Sequence, residues 1–383
     1  MQKAIKKILL VACLIGINAL PAGSEEQVSP DEITLVAVGD IMLGGRTIPF
    51  LKKFGPEYPF VNVKSVFERA DIIVGNLESP ISDRGTAVEN KKFTLRAEPD
   101  AVEALEAAGF RVVTLANNHA MDFGPLALQD TLDLLDEYEI LYTGAGRDLA
   151  DAREPAFVKI KDKTLVFLAY SLTFPLDFFA SPGRPGTAPG YREFVEADIK
   201  KVRPLADIVV VSFHWGAELM TTAKDYQIEL GRQAIDWGAD LVLGHHPHVL
   251  QELEWYKNRL IAYSLGNFVF GSESNRTNTS ILLLVTFKKG ALARVETVPL
   301  DVNNYRVKYQ PEILRGKEAR AVLENMNMVS ERFETKLAIV NDRGIMKLES
   351  EQKQEASLFQ TGLYNELENL LENTPATDYC SSP

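Results

Sequence analysis

The chain is poor in the residues that usually announce chemistry. It has two cysteines and five histidines in 383 residues. It contains no Gly-x-Gly-x-x-Gly, Walker or nucleophile-elbow motif, so nucleotide-binding loops and serine-hydrolase chemistry lose their usual signals. It has no internal repeat and no long low-complexity tract. It lacks a basic excess: the net charge is −12, which argues against a nucleic-acid partner. Apolar content of 46% and charged content of 25% are ordinary globular values.

It also lacks a long apolar run. The longest stretch of that kind is "ILLVACLIGINAL", Ile8 to Leu20, behind the basic "MQKAIKK". Small residues follow in "PAGSEE". This pattern reads as a secretory signal over residues 1–24, cleaved near Ala22 to Ser24. An uncleaved anchor and a lipoprotein ending at Cys13 are the alternatives. Loss of Lys3, Lys6 and Lys7 takes the net charge from −12 to about −15. Cys380 would then be the only cysteine, which excludes an intramolecular disulfide and a thiolate zinc site. An exported chain without disulfides suits the bacterial cell envelope.

Short β-branched apolar runs alternate with helical periodicity. "ITLVAVGD", "ADIIVGNLE" and "FRVVTLANNH" read as strands. "AEPDAVEALEAAG" reads as a helix stopped at Gly109, and "PLALQDTLDLLDEY" as one with Leu128, Leu132 and Leu135 on a single face. "PAFVKI", "TLVFLAY", "DIVVVSF", "DLVLG", "RLIAYSLGNFVF" and "SILLLVTF" continue the strand set. Helices are expected near Glu193 to Val202 and Asp225 to Trp237. The class is α/β, one layered domain over residues 32–300. Residues 301–383 are polar and helix-prone, and are expected to form a helical appendage.

All five histidines follow strand-like runs. His119 ends "TLANNH", His214 ends "VVVSFH", and His245, His246 and His248 crowd into "GHHPH". In α/β proteins ligands bind beyond the carboxyl ends of strands. Asp40 in "VGDIMLGG", Asn76 and Glu78 in "VGNLESP", and Asn117 and Asn118 occupy equivalent positions. Carboxylate, amide and imidazole donors together suit one or two divalent ions such as Mn, Fe or Zn. Arg46, Lys91, Lys92 and Arg96 are nearby cations able to hold an anionic substrate. The Pro- and Gly-rich "FPLDFFASPGRPGTAPGYR" is expected to present Phe178 and Phe179 as an exposed lid or docking patch.

The ordered motifs GD, GN-x-E, NNH, H-W-G, G-H-x-P-H and "YSLGNFVF" resemble the CapA family of bacterial capsule proteins over roughly Ile33 to Phe270. That resemblance implies a role in poly-γ-glutamate synthesis or export. The family is similar to the calcineurin-like metallophosphoesterases, which implies a β-sandwich flanked by helices and a metal-type site. Carried over, the metal ligands are drawn from Asp40, Asn76, Glu78, Asn118, His214, His245, His246 and His248. His119 becomes the acid that protonates a leaving group, with Asp122 beside it. Arg46, Lys92, Arg96 and Asn267 become substrate contacts. Two departures stand out: Ile41 and Met42 occupy the place of a D-x-H histidine, and Asn76 replaces a bridging aspartate. Two functions stay open. One is a metal-dependent hydrolase of a phosphoester or γ-glutamyl amide. The other is a non-catalytic metal- or polymer-binding subunit beside membrane-bound capsule-synthesis subunits. The expected ligand is an anionic polymer or small molecule.

Overall fold

Runs of Val, Ile and Leu in this chain are long enough to be covered on both faces, and they form strands between two helical layers. The computed structural model describes residues 31–271 and 273–346. The leader and the polar stretch after Met346 lie outside the described residues.

Strands β1 (Glu32–Met42), β2 (Ile72–Leu77), β3 (Phe110–Thr114) and β4 (Leu141–Thr143) are mutually parallel neighbours. The short β5 (Ala145–Gly146), then β6 (Ala156–Ile160), β7 (Lys163–Ser171), the short β8 (Gly186–Thr187) and β9 (Ile208–His214) follow. Next come β10 (Leu241–His245), β11 (Leu253–Tyr256), β12 (Arg259–Ala262) and β13 (Asn267–Phe270). The last strands are β14 (Thr279–Lys288), β15 (Ala291–Asp301), β16 (Glu312–Ile313), β17 (Ala338–Val340) and β18 (Arg343–Met346). One sheet has the order β17-β18-β15-β14-β1-β2-β3-β4, with β13 also on β1 and β16 on β15. The other has the order β11-β12-β10-β9-β7-β6.

Period-two alternation sorts the core into layers. Leu35 and Ala37 of β1 pack against Phe167, Val210 and Leu243 of the second sheet. Val36 and Val38 face the other way, onto the helices Ala101–Ala107 and Gly124–Glu137 through Val102, Leu105, Leu128 and Leu132. Val166, Val209 and Val211 meet Val195, Ile199 and Leu230 of helices Arg192–Val202 and Asp225–Trp237. The result is helix–sheet–sheet–helix, the layered sandwich expected. Each fully buried aliphatic side chain contributes about 1.5–3 kcal/mol.

Four local features differ from expectation. "RLIAYSLGNFVF" is two strands, not one: β12 lies in the second sheet and β13 in the first. The crossing is made at Gly266, whose φ of 75° few other residues adopt readily. β15 carries a partly polar sequence, "ALARVETVPLD", whose pattern falls short of a clean alternation. Phe178 and Phe179 are buried, and the exposed large apolar groups of that loop are Phe174, Leu176 and Tyr191. Beyond Asp301 the expected helix is present as Gly316–Ser330. Its Leu323 and Met326 enter the core between the sheets together with Leu337 and Met346, so this stretch completes the domain as far as Met346.

Candidate metal centre

Parallel strands deliver the polar cluster to one edge. β1, β2 and β3 in one sheet and β9 and β10 in the other end at the same place, and each is followed by a motif. Asp40 is in register with Asn76 and with Asn267, and His245 with His214. Close approach of the backbones requires glycine. A Cβ on Gly39 would stand 1.9 Å from the Gly266 carbonyl oxygen, and one on Gly244 1.9 Å from that of Tyr263.

Asp40 is fully buried and sits at the centre of the hydrogen-bonding. Its Oδ1 lies 3.1 Å from His245 Nδ1 and accepts from Asn76 Nδ2 at 2.9 Å. Its Oδ2 lies 3.2 Å from His248 Nδ1 and accepts from the His246 backbone N–H at 3.3 Å. Burial alone would raise its carboxyl, but the His245 and His248 contacts hold it well below the ordinary aspartate value. His214 Nε2 lies 2.8 Å from Asn118 Oδ1. His248 Nδ1 also lies 2.9 Å from Asn267 Oδ1, and Phe270 packs edge-on against its ring.

Glu78 is the odd member. It is fully buried, yet neither carboxylate oxygen has a hydrogen-bond partner among the described residues. Its Oε1 is 3.5 Å from His214 Nε2, 3.7 Å from His248 Nε2 and 4.0 Å from His119 Nε2. A buried carboxylate left unpaired costs several kcal/mol, roughly. Burial, then the Asp40 charge, push its carboxyl well above the usual range. His246 Nδ1 is likewise buried without a partner. Glu78, His246 and His248 present ligand atoms within 4.8 Å of one another, and so do Asp40, Glu78 and His214. The orphaned atoms are oxygen and imidazole nitrogen, shared through Glu78 between both groups. This donor set fits a divalent ion. Backbone strain marks the same loop: φ is 96° at His246 and 58° at His248.

Electrostatics divide the imidazoles. Burial opposes protonation of His248, yet the Glu78 and Asp40 charges push its pKa up to about 10. Burial and then the His248 charge push His246 down to about 3. His214 is held well below its ordinary value, chiefly by burial.

His119 stands to one side. Its Nδ1 is 2.6 Å from Asp122 Oδ2, and its backbone N–H donates to Asn117 Oδ1 at 3.0 Å. Asn117 is thereby a scaffold residue, its Nδ2 donating to the Leu77 carbonyl at 2.8 Å. Lys91 Nζ is 3.1 Å from His119 Nδ1 and also contacts Asp122 and the Asn118 carbonyl. Lys91 and Lys92 are equivalent in sequence; Lys91 is the one brought to the cluster. Lys92 is exposed, over the Phe93 ring at 5.0 Å. Arg46 is exposed and ion-paired with Glu273. Arg96 stacks on Phe123 at 4.2 Å. Asn76 is held inside the cluster, its Nδ2 also 3.3 Å from His214 Nδ1. Phe270 had a sequence signal, its place in "YSLGNFVF", but no polar atom to draw notice.

The layered α/β sandwich thus gathers at its strand ends a buried carboxylate–imidazole cluster of candidate metal ligands. Residues 34–272 match the family model described as "Bacterial capsule synthesis protein PGA_cap", and the chain belongs to that family. It is 35% identical over 277 residues to the PGA biosynthesis protein CapA of Bacillus subtilis, covering 72% of this chain and 73% of that one. It is 31% identical over 308 residues to the capsule biosynthesis protein CapA of Bacillus anthracis, covering 77% and 75%. A probable polyglutamine synthesis accessory protein of Mycobacterium tuberculosis is 29% identical, covering 73% of this chain and 87% of that one.

Proposed function

We propose that this chain is a CapA-like envelope protein of poly-γ-glutamate capsule synthesis or export, with a divalent ion of the Mn, Fe or Zn type in its strand-end cluster. Glu78 carries the reading: a buried carboxylate whose oxygens have no hydrogen-bond partner among the described residues, with His214 and His248 nitrogens 3.5 and 3.7 Å away, is placed as a ligand for a cation. Asp40, Asn118, His214, His246 and His248 are the other donors in reach, with one ion or two. When bound, the ion supplies Lewis-acid polarisation of a phosphoryl or acyl oxygen. His119 turns Nε2 toward the cluster while Asp122 fixes Nδ1, the orientation of a proton donor to a leaving group. The leader supports export, and none of the described helices is long and apolar enough to cross a membrane.

A second reading is a non-catalytic subunit that binds metal or polymer beside membrane-bound partners. It is favoured by Asn76, whose amide is committed to Asp40 and His214 where the related enzymes place a bridging carboxylate. Turnover of a simple phosphoester, measured with poly-γ-glutamate output of a producing cell, separates the two. A hydrolase loses about 10²- to 10⁴-fold in rate with His119→Ala. A subunit shows no turnover, keeps its output with His119→Ala, and loses it with His246→Ala plus His248→Ala. Unmoved output and unmoved turnover in both variants would refute either reading.

A further inference from the structure

A strap of chain, Glu89 to Ala97, runs along one side of the cluster. It is fastened to the His119–Asp122 pair. The Leu95 N–H donates to Asp122 Oδ2 at 2.6 Å, Val88 N–H donates to the Asp122 carbonyl at 2.9 Å, and Lys91 Nζ contacts Asp122 Oδ1. At its far end the strap lies on the turn after β1. A Cβ on Gly44 would stand 1.9 Å from the Arg96 carbonyl oxygen. Between these two fixed points the Arg96 guanidinium stacks on the ring of Phe123, the residue that follows Asp122.

Arg96 is under-used. A guanidinium has five N–H donors. Among the described residues its guanidinium makes a single hydrogen bond, from Nη1 to the Arg84 carbonyl at a long 3.4 Å. Among the described residues no carboxylate forms an ion pair with it. Most neighbouring cations are ion-paired: Arg46 with Glu273, Lys52 with Glu98, Arg84 with Asp130 and Lys91 with Asp122; Lys92 instead sits exposed over the Phe93 ring. Arg96 also lines a cavity of about 400 Å³ with Met42, Ile48, Leu95 and Phe123. Met42 lies two residues past Asp40, and Phe123 one past Asp122, so the cavity borders the backbone that carries the site. Thr94 and Glu98 also line it, with Glu98 ion-paired to Lys52, so the free charge of the wall is the stacked guanidinium, which with the apolar groups beside it suits a short methylene chain that ends in an oxyanion.

We propose that Arg96 is the docking point for an oxyanion of the ligand that the strand-end site receives. The proposal rests on the functional reading above only for the identity of that ligand. A carboxylate of a γ-glutamyl chain and a phosphate share the required chemistry. The net charge of −12 makes a local cation necessary for either.

Calorimetric titration of the full mature chain with γ-glutamyl oligomers and, separately, with inorganic phosphate tests this. Each titration is run on metal-loaded and on chelator-treated protein. Arg96→Gln is expected to weaken binding of at least one probe about ten- to hundredfold, the worth of a charged hydrogen-bonded contact. Arg96→Lys, which keeps charge but loses the fork, falls between. Lys200→Gln, on the helix Arg192–Val202 and already paired with Glu196, changes binding less than about twofold. Loss for the oligomer alone identifies a carboxylate, and loss for phosphate alone identifies a phosphate group. The Arg96-dependent part persists in chelated protein, so it survives even if the cluster binds no metal. Wild-type affinity for both probes in a folded Arg96→Gln variant, checked by its thermal midpoint, overturns the proposal. So does a wild-type protein that binds neither probe.

Discussion

The charge state of His248 couples the cluster to pH in two opposite ways. Glu78 and Asp40 raise its pKa from 6.5 to about 10 against the effect of burial. In the metal-free chain the protonated ring therefore contributes stability that is fully present below about pH 6.5, its unfolded value, and is lost as pH rises toward 10. A metal ligand must be unprotonated, so metal affinity moves the other way and rises over the same window. Thermal midpoints of chelated protein should fall from pH 6.5 to pH 9.5, while metal affinity climbs. His248→Gln should flatten both trends, and equal slopes in wild type and variant would remove His248 as the cause. The positions of the histidines were legible in the sequence because each follows a strand. The separation of Lys91 from Lys92 was not, since both are lysines on one loop and only tertiary burial chooses between them. The scaffold role of Asn117 was equally hidden, being set by a carbonyl on another strand, that of Leu77.

At the scale of elements, the site depends on where two sheets come closest. β12 and β13 are one apolar run in the sequence, and the switch of sheet within it places Asn267 beside Asp40. Periodicity does not register such a crossing, because both halves are strand and the connection is only Tyr-Ser-Leu-Gly. Gly39 makes the contact permissible, with Gly266 carbonyl oxygen where a Cβ would go. Gly39→Ala should therefore destabilise the domain by about 1–3 kcal/mol, the range for forced overpacking. It should also lower metal content, since β1 must shift and Asp40 with it. Denaturant midpoints and metal analysis of the same preparation check this; an unshifted midpoint would mean the backbones part without strain. The longer helices Gly124–Glu137, Arg192–Val202 and Asp225–Trp237 and the apolar strands were readable from spacing; the helix Ile48–Phe54 and strands β4, β11 and β15 were not. β17 and β18 were not taken up, although two short apolar runs flank Asn341 and Asp342, both at positive φ in the manner of a tight hairpin.

Across the whole molecule, parallel strands β1, β2 and β3 of one sheet and β9 and β10 of the other converge on two buried carboxylates, Asp40 and Glu78. The core between the sheets extends past the expected boundary, through Leu323, Met326 and Met346, so the domain that presents the cluster reaches well beyond Leu300. What the sequence shows by order, GD then GN-x-E then NNH then the histidines, the fold gathers at one edge. The order alone cannot say that Glu78 rather than Asn76 offers free ligand atoms; that follows from the Asn76 amide being taken up by Asp40 and His214 while the Glu78 oxygens have no hydrogen-bond partner among the described residues. The most direct test is the metal content of the purified full-length protein by mass spectrometry, beside that of Glu78→Gln. Wild-type protein is expected to hold one or two divalent ions per chain. Glu78→Gln, which removes the shared negative charge and keeps the shape, is expected to lose most of them while staying folded. A wild-type chain that takes up no divalent ion even when Mn, Fe and Zn are supplied, or a Glu78→Gln variant that keeps its full complement, would contradict the account.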